Sequence, residues 1–487
     1  MKTNSLDFDA QALREKILDL AMRGKLVPQD PNDEPASVLL EKIKAEKAEL
    51  IKEKKIKKTK PLPPLTDDEK PFDILDSWEW VRLGDVGNWA AGATPSRKHP
   101  EYYGGNIPWL KTGDLNDDVV EDTTEKITKL GVENSSVKIN KPGNVLIAMY
   151  GATIGKLGIV GNKELVTNQA CCGCTPFNGV YNWYLFYYLF ASRKRLIDLG
   201  SGGAQPNISK QKIENFSFPL PPLSEQSRIA AKIAQLFALL RKVETSTQQY
   251  AKLQTLLKSK VLDLAMRGKL VKQDPNDEPA SELLEKIKAE KQELIKEKKI
   301  KKTKPLPPIT DDEKPFDIPD SWEWVRLGDI FSINDRNKAN IETEVGFLPM
   351  KDISDGYDGT YTFETRRWGD IKSGYTHIKN GDIALAKITP CFQNLKSCVV
   401  NNLPNKIGAA TTEIYALNPI LKSFSYLYVY FLKSPFFINS GMKNFTGNVG
   451  QQRVPKKFVE TFVIPLPPLN EQFRIKNCLV KLLELLA

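Results

Sequence analysis

The sequence predicts an α+β protein in which two mixed α/β domains are separated by long antiparallel coiled-coil helices. Three observations predict this fold class: a long internal repeat, a heptad seam inside the repeated frame, and short strands bounded by turns in the blocks between the repeats. Because nearly identical segments take the same fold twice, the repeat also predicts a pseudo-twofold arrangement. The 487 residues are enough for roughly two to four domains of about 100–200 residues each.

The dominant feature of the chain is a repeat at an offset of 244 residues. Residues 18–85 recur at 262–329 with 63 identities in 68 positions. The blocks that follow each copy, 86–216 and 330–462, share little with one another. One frame is therefore built twice around two different blocks, which favours one task performed on two targets. A solenoid is the competing interpretation, but its period would be about 20–50 residues.

The frame contains a heptad seam that begins after the motif Pro-Leu-Pro-Pro-Leu-x-Glu-Gln, found at 219–226 and again at 465–472. Alternate steps of four and three collect the seam residues Ile229, Ile233, Leu236, Leu240, Val243, Thr247, Tyr250, Gln254, Leu257, Val261 and Leu264. Most of them are apolar or aromatic, as expected for a helix that packs lengthwise against a partner. We predict a helix over about 225–265, roughly 60 Å long at ~1.5 Å per residue. Gly268 is the expected stop.

Both ends of the chain continue the same seam. The N-terminal positions are Leu6, Ala10, Leu13, Ile17 and Leu20, and the C-terminal positions are Ile475, Leu479, Leu482 and Leu486. The two termini therefore read as one frame helix that is cut near its middle, with the chain ends close together. The alternative is two unrelated terminal helices.

A second helix is predicted in each copy of the frame, at Ala36–Lys58 and Ala280–Lys302. Each ends in Lys-Lys-Ile-Lys-Lys and is followed by Lys-Pro-Leu-Pro-Pro, which cannot be helical and predicts an extended linker. Three interpretations of this basic end are open: a contact with DNA phosphates, a solvated face, or a docking surface for a partner subunit.

Each block predicts a mixed α/β domain. It opens with a strand and turn in Asp76–Asp85 or its copy Asp320–Asp329. The apolar runs Val145–Met149 and Ile383–Ala386 follow Pro-Gly and Asn-Gly turn signals, and Tyr184–Phe190 and Tyr426–Leu432 predict buried helices. The predicted domain boundaries are 1–58 for the N-terminal frame, 72–220 for the first block, 221–302 for the central frame, 316–466 for the second block and 467–487 for a C-terminal helix that pairs with the central helix.

Composition suggests a basic intracellular protein. Seventy Lys and Arg against sixty Asp and Glu give a net charge of +10, which suits a polyanionic partner or simply a basic protein without a nucleic-acid role. The six cysteines lack a disulfide framework spacing, so a reducing cytoplasm is expected. The polar N-terminus lacks a signal-peptide core, and no apolar run approaches the ~20 residues that cross a bilayer.

Catalytic and metal-binding motifs are not evident. Gly151-Ala-Thr-Ile-Gly-Lys-Leu157 has one residue too few for a phosphate-binding loop and lacks its Ser or Thr. Cys171, Cys172 and Cys174 are too close together for an ordinary zinc site, and His99 and His377 are the two histidines. No Asn-Pro-Pro-aromatic tetrapeptide, typical of adenine N6-methyltransferases, occurs. We therefore expect no catalytic site and no metal site in this chain.

Several motifs in the blocks carry a family resemblance. In the first block they are Ile107-Pro-Trp-Leu-Lys-Thr-Gly-Asp114, the stretch Pro142–Lys156, Thr167-Asn-Gln-Ala-Cys-Cys172 and Gln205-Pro-Asn-Ile-Ser209. The second block has Leu348-Pro-Met-Lys-Asp352, Thr411-Thr-Glu413 and Gln451-Gln-Arg453 at matching places. Together with the frame, these motifs resemble the target-recognition domains of type I restriction-modification DNA-specificity subunits, over almost the whole chain.

The resemblance implies a non-catalytic subunit. Each target-recognition domain would read one half of a bipartite site in double-stranded DNA, and the helices would set the gap. Two modification (methyltransferase) subunits would dock on the frame and methylate adenine N6. Two restriction subunits would add ATP-dependent translocation and cleavage. S-adenosylmethionine, ATP and Mg²⁺ would lie on those partners, with no cofactor on this chain. The alternatives are a standalone DNA-binding, scaffold or regulatory protein built from the same modules, and a self-sufficient enzyme.

Residue type and position near the loop motifs predict the candidate DNA contacts, because amide and guanidinium groups read base edges and Lys contacts phosphate. Those in the first block are Arg97, Lys98, Lys111, Thr112, Tyr150, Lys156, Gln205, Asn207 and Lys210. Those in the second block are Arg336, Lys338, Lys351, Lys387, Gln451, Gln452, Arg453 and Lys456. A structural or solvated role is the alternative for each: in that interpretation Gln205 and Asn207 cap turns, and Thr112 and Asp114 brace their loop.

Overall fold

The computed structural model describes residues 8–200, 206–422, 425–448 and 450–486. It divides into two compact units with the boundary after Thr247. The described residues before that boundary are the first unit here, and those after it are the second unit.

The first unit consists of seven helices, the first half of an eighth, and eleven strands. Its helices are α1 (Ala10–Met22), α2 (Ala36–Lys52), α3 (Leu83–Val86), α4 (Lys129–Glu133), α5 (Asn182–Ala191), α6 (Arg193–Gly200), α7 (Lys210–Glu214) and α8 (Leu223–Met266), of which α8 continues into the second unit. Its strands are β1 (Glu79–Arg82), β2 (Gly87–Ala91), β3 (Tyr103–Leu110), β4 (Asp118–Val120), β5 (Glu125–Ile127), β6 (Ile139–Asn140), β7 (Val145–Ala148), β8 (Leu157–Val160), β9 (Leu165–Thr167), β10 (Cys171–Pro176) and β11 (Ser217–Leu220).

The second unit repeats this plan. Its helices are the rest of α8 and then α9 (Ala280–Lys296), α10 (Leu327–Ile330), α11 (Trp368–Ile371), α12 (Ser425–Phe431), α13 (Pro435–Lys443), α14 (Lys456–Thr461) and α15 (Leu469–Leu485). Its strands are β12 (Glu323–Arg326), β13 (Phe331–Ile333), β14 (Glu344–Leu348), β15 (Glu364–Arg367), β16 (Thr376–Lys379), β17 (Ile383–Ala386), β18 (Ser397–Val399), β19 (Ile407–Ala410), β20 (Ile414–Pro419) and β21 (Val463–Leu466).

Each unit contains two main sheets and a two-stranded ribbon. The first unit has the strand orders β2-β10-β7-β8-β4 and β5-β3-β9-β6, and the ribbon β1-β11. The second has β13-β20-β17-β18 and β15-β14-β19-β16, and the ribbon β12-β21. The central strands β7 and β17 are fully buried, as short apolar runs behind turn signals predict. The predicted fold class of mixed α/β domains separated by a long helix is confirmed.

The long frame helix is confirmed, and in each unit a terminal helix runs antiparallel to part of it. In the first unit, Arg14 near the start of α1 pairs with Glu244, whereas Asp33, after the end of α1, pairs with Arg228 near the start of α8. In the second unit, α15 packs in one core with the end of α8. The packing follows the predicted seam at both ends of α8.

The seam is not buried along its whole length, and here the prediction is wrong. Val243, Tyr250 and Leu257 are exposed in the middle of α8, although their spacing matches the buried Ile229 and Ile233. The physical reason is that a heptad pattern marks a stripe suited for packing, whereas burial requires a second helix at the same height. Among the described residues, α1 and α15 bury only the two ends of this stripe.

The second frame helix is shorter than predicted. It ends at Lys52 rather than Lys58, and its copy ends at Lys296 rather than Lys302. Lys54 adopts a left-handed φ of 58°, and the amides of Lys55 and Ile56 then donate to Leu50 O. This C-terminal cap, closed by packing of Ile56 with Leu50 in the core, stops the helix without glycine or proline.

The Pro-Leu-Pro-Pro-Leu-x-Glu-Gln motif has a structural role. Glu225 is buried, and its carboxylate accepts hydrogen bonds from Trp78 Nε1 at 2.9 Å and from Gln29 Nε2 at 2.5 Å. Burial raises the pKa of Glu225 above its ordinary value. In the second unit, Glu471 accepts from Trp322 Nε1 in the same way. The motif thus ties the start of each frame helix to the tryptophan, present in both copies of the repeat, that precedes the first strand of each block.

The Pro-rich linkers are ordered rather than free. In the first unit, the buried Arg82 donates to the carbonyls of Pro63 and Pro64 at 3.0 and 2.9 Å and pairs with Glu69 at 2.6 Å. Arg326 makes the equivalent contacts in the second unit. Because the linker carbonyls are satisfied by a guanidinium from β1 or β12, each linker is fastened to the domain that follows it.

Candidate nucleic-acid interface

In the first unit, backbone hydrogen bonds bring the family motifs together along one edge. Asn168 N donates to Leu110 O at 2.9 Å, Met149 N to Ala170 O at 2.7 Å, and Ile208 N to Met149 O at 2.8 Å. These bonds join loops that are far apart in sequence, and we name the joined loops 110–112, 149–156, 168–170 and 206–210 the first ridge.

The second unit repeats the same ladder with other side chains. Thr411 N donates to Leu348 O at 3.3 Å, Lys387 N to Glu413 O at 3.0 Å, and Val454 N to Lys387 O at 2.9 Å. We name the joined loops 348–351, 387–390, 411–413 and 451–454 the second ridge. The motifs at matching places in the two blocks therefore occupy matching places in the two units.

Polar side chains lie at the surface of the first ridge, and buried residues lie beneath them. Tyr150 pairs with Asn207 through an isolated β-bridge. Asn207 is exposed, while Tyr150, Thr112 and Lys156 are half-buried. Of the predicted contacts, these four lie on the ridge, together with Lys111 and Lys210. Lys210 pairs with Glu214 at 3.1 Å on α7. Gln205 lies outside the described residues.

Arg97 and Lys111 share one carboxylate. Arg97 pairs with Glu125 at 2.8 Å, and Lys111 Nζ makes a short contact to the other oxygen of the same group. The Arg97 guanidinium lies 4.1 Å from the ring centroid of Tyr103 and 5.2 Å from that of Trp109, which is cation–π distance. The two cations, led by Lys111, lower the pKa of Glu125. Lys98 is exposed beside this cluster in sequence.

The loop that carries Lys111 is braced by Asp114, as predicted. One carboxylate oxygen of Asp114 accepts the amide of Lys111 at 2.9 Å, and the other accepts that of Thr124 at 3.2 Å. Asn168 closes its own turn in a similar way, because its side-chain oxygen accepts the Ala170 amide at 3.1 Å. Both residues therefore hold ridge loops in shape and are not themselves free to read bases.

The second ridge is more highly charged. Arg453 makes a two-pronged ion pair with Glu413, both contacts at 2.9 Å, and also donates to Gln451 O at 3.0 Å. Arg453 lowers the pKa of Glu413. Lys387 Nζ lies 5.0 Å from the ring centroid of Tyr415. Gln452 is half-buried, and Gln451 and Lys351 are exposed on this ridge.

The remaining predicted contacts of the second block lie beside the ridge rather than on it. Arg336 and Lys338 are exposed on the segment that follows β13. Arg336 contacts the buried His377 at 3.3 Å, and burial lowers the pKa of that imidazole. Lys456 starts α14 and pairs with Glu460 at 3.2 Å.

Sequence reasoning missed the carboxylates that hold these cations. Glu125 lies outside the family motifs. Glu413 lies in the Thr411-Thr-Glu413 motif, but the sequence analysis gives it no role. No sequence signal identifies Glu125, since it is distant from Arg97 and Lys111 along the chain and meets them only because β5 pairs with β3.

The described residues contain neither a group of three potential metal ligands nor a helix long and apolar enough to cross a membrane. Cys171, Cys172 and Cys174 are buried on β10, and burial raises the pKa of each thiol, that of Cys172 to about 12. Such thiols are poor nucleophiles and poor metal ligands at neutral pH.

A family model described as the type I restriction modification DNA specificity domain matches residues 75–254 and 319–486. The chain belongs to this family. Each match of this specificity-domain protein starts just before a block and ends in a frame helix, so the two ridges lie one in each matched region.

Two relatives of this specificity-domain protein come from Escherichia coli. The type I restriction enzyme EcoAI specificity subunit is 53% identical over 222 residues, covering 45% of this chain and 38% of that protein. The EcoEI specificity subunit is 48% identical over 231 residues, covering 47% of this chain and 39% of that protein. The chain therefore matches well under half of the length of either relative.

One solved chain from a type I R-M system, studied for complex assembly and conformational transition, has a similar fold. Its TM-score is 0.52 with 20% sequence identity, and the match covers 85% of this chain and 92% of that one. At this identity the likeness concerns the fold alone.

Proposed function

We propose that this chain is the DNA-specificity subunit of a type I restriction-modification complex and that each ridge reads one half of a bipartite site. The observation that carries the proposal is the ladder of three backbone hydrogen bonds that recurs in both units. One scaffold presents Tyr150 and Asn207 in the first unit and Ile388 and Arg453 in the second. An identical scaffold with different exposed side chains is what recognition of two different sequences requires, because base edges are distinguished by donor and acceptor pattern.

The surrounding charges fit a nucleic acid. Lys98 is exposed beside the Arg97 cluster in sequence, and Lys351 is exposed on the second ridge. Exposed cations hold a protein on the phosphate backbone without reading sequence. Arg97 and Lys111 share the single negative charge of Glu125, and Arg453 pairs with Glu413, so a phosphate or a base edge would compete with these carboxylates for the cations. The family match favours this role over a standalone DNA-binding or scaffold protein.

The remaining parts of the proposal concern partners. The nearly identical frame would dock two modification subunits, and two restriction subunits would complete the complex. Adenine N6-methylation, ATP-dependent translocation and cleavage would then occur on those partners, which would bind S-adenosylmethionine, ATP and Mg²⁺. This chain would contribute recognition and the spacing of the half-sites, without catalysis of its own.

The test uses matched substitutions at equivalent ridge positions. The full-length chain is expressed with its modification subunits, and methylated adenines are mapped for the wild type, Asn207→Ala and Arg453→Ala. We expect a single split motif for the wild type, relaxed sequence only in one half for Asn207→Ala, and relaxed sequence only in the other half for Arg453→Ala. Each relaxed base pair should cost about 1–3 kcal/mol of discrimination.

Two results would contradict the proposal. A wild-type map without a split motif would exclude the specificity role. Relaxation of the same half by both variants would exclude the assignment of one ridge to one half-site. Lys98→Ala is the control, since loss of a phosphate contact should weaken methylation of all sites equally.

A further inference from the structure

The second unit contains a hairpin that the first unit lacks. It spans residues 353–361, is closed by Ser354 N donating to Thr360 O at 2.9 Å, and starts and ends with a β-bridge between Ile353 and Tyr361. The equivalent segment of the first unit, 115–124 between the ridge loop and β5, instead forms β4, which pairs with β8. The hairpin turns on Gly356, whose φ of +77° favours glycine.

A buried lysine fastens this hairpin. Lys433 is 1% exposed, and its Nζ donates to Gly356 O at 2.7 Å. The tyrosines Tyr184 and Tyr428 mark equivalent positions, because each hydroxyl donates to the carbonyl of the matching proline before a frame helix. Lys433 lies five residues after Tyr428, and the fully buried Leu189 lies five residues after Tyr184. Lys433 therefore occupies the position that Leu189 has in the first unit. A buried ammonium costs free energy that a buried Leu does not, and the hydrogen bond from Lys433 to Gly356 O offsets part of that cost.

A second lysine holds the base of the hairpin. Lys396 is 15% exposed in its side chain, makes a short hydrogen bond to Ile353 O, and pairs with Asp355 at 3.2 Å. The amide of Gly356 in turn donates to Asn394 O at 2.8 Å. The hairpin is therefore fixed on the domain side by side-chain and backbone contacts together.

The tip of the hairpin packs against the core that includes the end of α8. Tyr357 is half-buried, and burial raises the pKa of its hydroxyl. Its ring packs against the core that contains Leu262 of α8 and Ile475 of α15. The hairpin thus extends from the ridge loop of the second unit, through Lys433, to the helix that we propose as the spacer.

We propose that the hairpin 353–361 is a brace that fixes the second recognition domain on α8 and that Lys433 is its positioning residue. This inference rests on the proposed function. One base pair more or less in the gap moves a half-site by about 3.4 Å and about 34° around the duplex. The hairpin is joined to the domain by Lys433 and Lys396 and packs through Tyr357 against the core that includes the end of α8. A domain held in this way resists such a displacement, whereas a domain without the brace can rock to follow it.

The test measures tolerance of the gap length. The full-length chain with its modification subunits methylates DNA that carries both wild-type half-sites with the gap native, one base pair shorter or one longer. We expect Lys433→Leu, which introduces the residue of the first unit, to raise methylation of both off-length sites about tenfold or more relative to the native gap. The bases read in each half-site should stay the same. Lys443→Leu, the same change at an exposed position of α13, should leave the gap preference unchanged.

A second measurement does not depend on methylation. Amide hydrogen exchange of the full-length protein should become faster in residues 354–359 and 255–262 of Lys433→Leu and of Tyr357→Ala, and not in Lys443→Leu. A wild type that recognises no split site would exclude the proposed function, and exchange alone would then test the brace. Unchanged exchange in residues 255–262, or an unchanged gap preference with a faster-exchanging hairpin, would overturn it.

Discussion

Asp382 should destabilise the second unit at neutral and alkaline pH, and its replacement by Asn should stabilise it. Asp382 is fully buried at the turn before β17. One carboxylate oxygen accepts the amide of Lys379 at 2.7 Å, and the other has no hydrogen-bond partner among the described residues. Burial is the main cause that raises the pKa of Asp382 from 3.8 to about 7.

The size of the effect follows from this shift. A rise from 3.8 to about 7 corresponds to about 4 kcal/mol at about 1.4 kcal/mol per unit. Below pH ~4 both folded and unfolded chains carry the protonated acid, so ionisation costs nothing. Between pH ~4 and ~7 the unfolded chain releases the proton and the folded chain retains it, so stability falls as pH rises and levels off above ~7. Asn does not titrate, so Asp382→Asn should gain about 2–4 kcal/mol at pH 8 and little at pH 4.

The first unit supplies the matched comparison. Asn144 occupies the equivalent position before β7 and donates to Thr175 Oγ1 at 2.9 Å. In the second unit the neighbour of Asp382 on β20 is Asn418, so a lone amide at 382 could lack an acceptor. The double variant Asp382→Asn with Asn418→Thr reproduces the pair of the first unit and supplies this acceptor, although it removes the hydrogen bond that Asn418 Oδ1 accepts from the Asp335 amide at 3.1 Å.

Urea unfolding of the full-length protein at pH 4.5, 6 and 8 is the assay. The transition of the second unit should move to higher urea in the double variant at pH 8 and approach that of the wild type at pH 4.5. The reverse change, Asn144→Asp, should destabilise the first unit at pH 8, which identifies the two transitions. Equal effects of Asp382→Asn at pH 4.5 and pH 8, or a loss of stability in the double variant at pH 8, would refute the reasoning.

Three further changes have defined outcomes. Arg82→Met should lower the free energy of unfolding of the first unit by about 3–5 kcal/mol, because it leaves linker carbonyls and a carboxylate unpaired; urea denaturation checks this. Glu125→Gln should strengthen non-specific DNA binding and steepen its salt dependence, because it frees the two cations that Glu125 now pairs. The DNA affinity is measured from 50 to 200 mM salt, and an unchanged slope of affinity against salt would contradict the prediction. Trp78→Phe should lower the free energy of unfolding by about 1–3 kcal/mol, because Glu225 loses one of its two hydrogen-bond donors. An unchanged free energy of unfolding in urea denaturation would contradict this role of Trp78.

The sequence by itself determined the architecture, because its strongest signals are periodic or repeated. The repeat of residues 18–85 at 262–329 requires two copies of one frame, and the heptad spacing requires a long helix, found as α8. The apolar runs at 145–149 and 383–386 became central strands for the same reason: local pattern and burial agree there. The family motifs coincide with the ridge loops, so the resemblance located these loops from the sequence alone.

Tertiary structure alone decided which side chains meet. Glu125 pairs with Arg97 and Lys111 only because strand pairing brings distant residues together. The exposure of Val243 and Tyr250 likewise depends on how far the terminal helices extend along α8, which their spacing does not encode. The buried Lys433 and Asp382 carry no sequence signal, because a charged residue in a polar stretch reads as solvated until its environment is known. Periodicity is a property of the chain, whereas desolvation and ion pairing are properties of the space into which the chain folds.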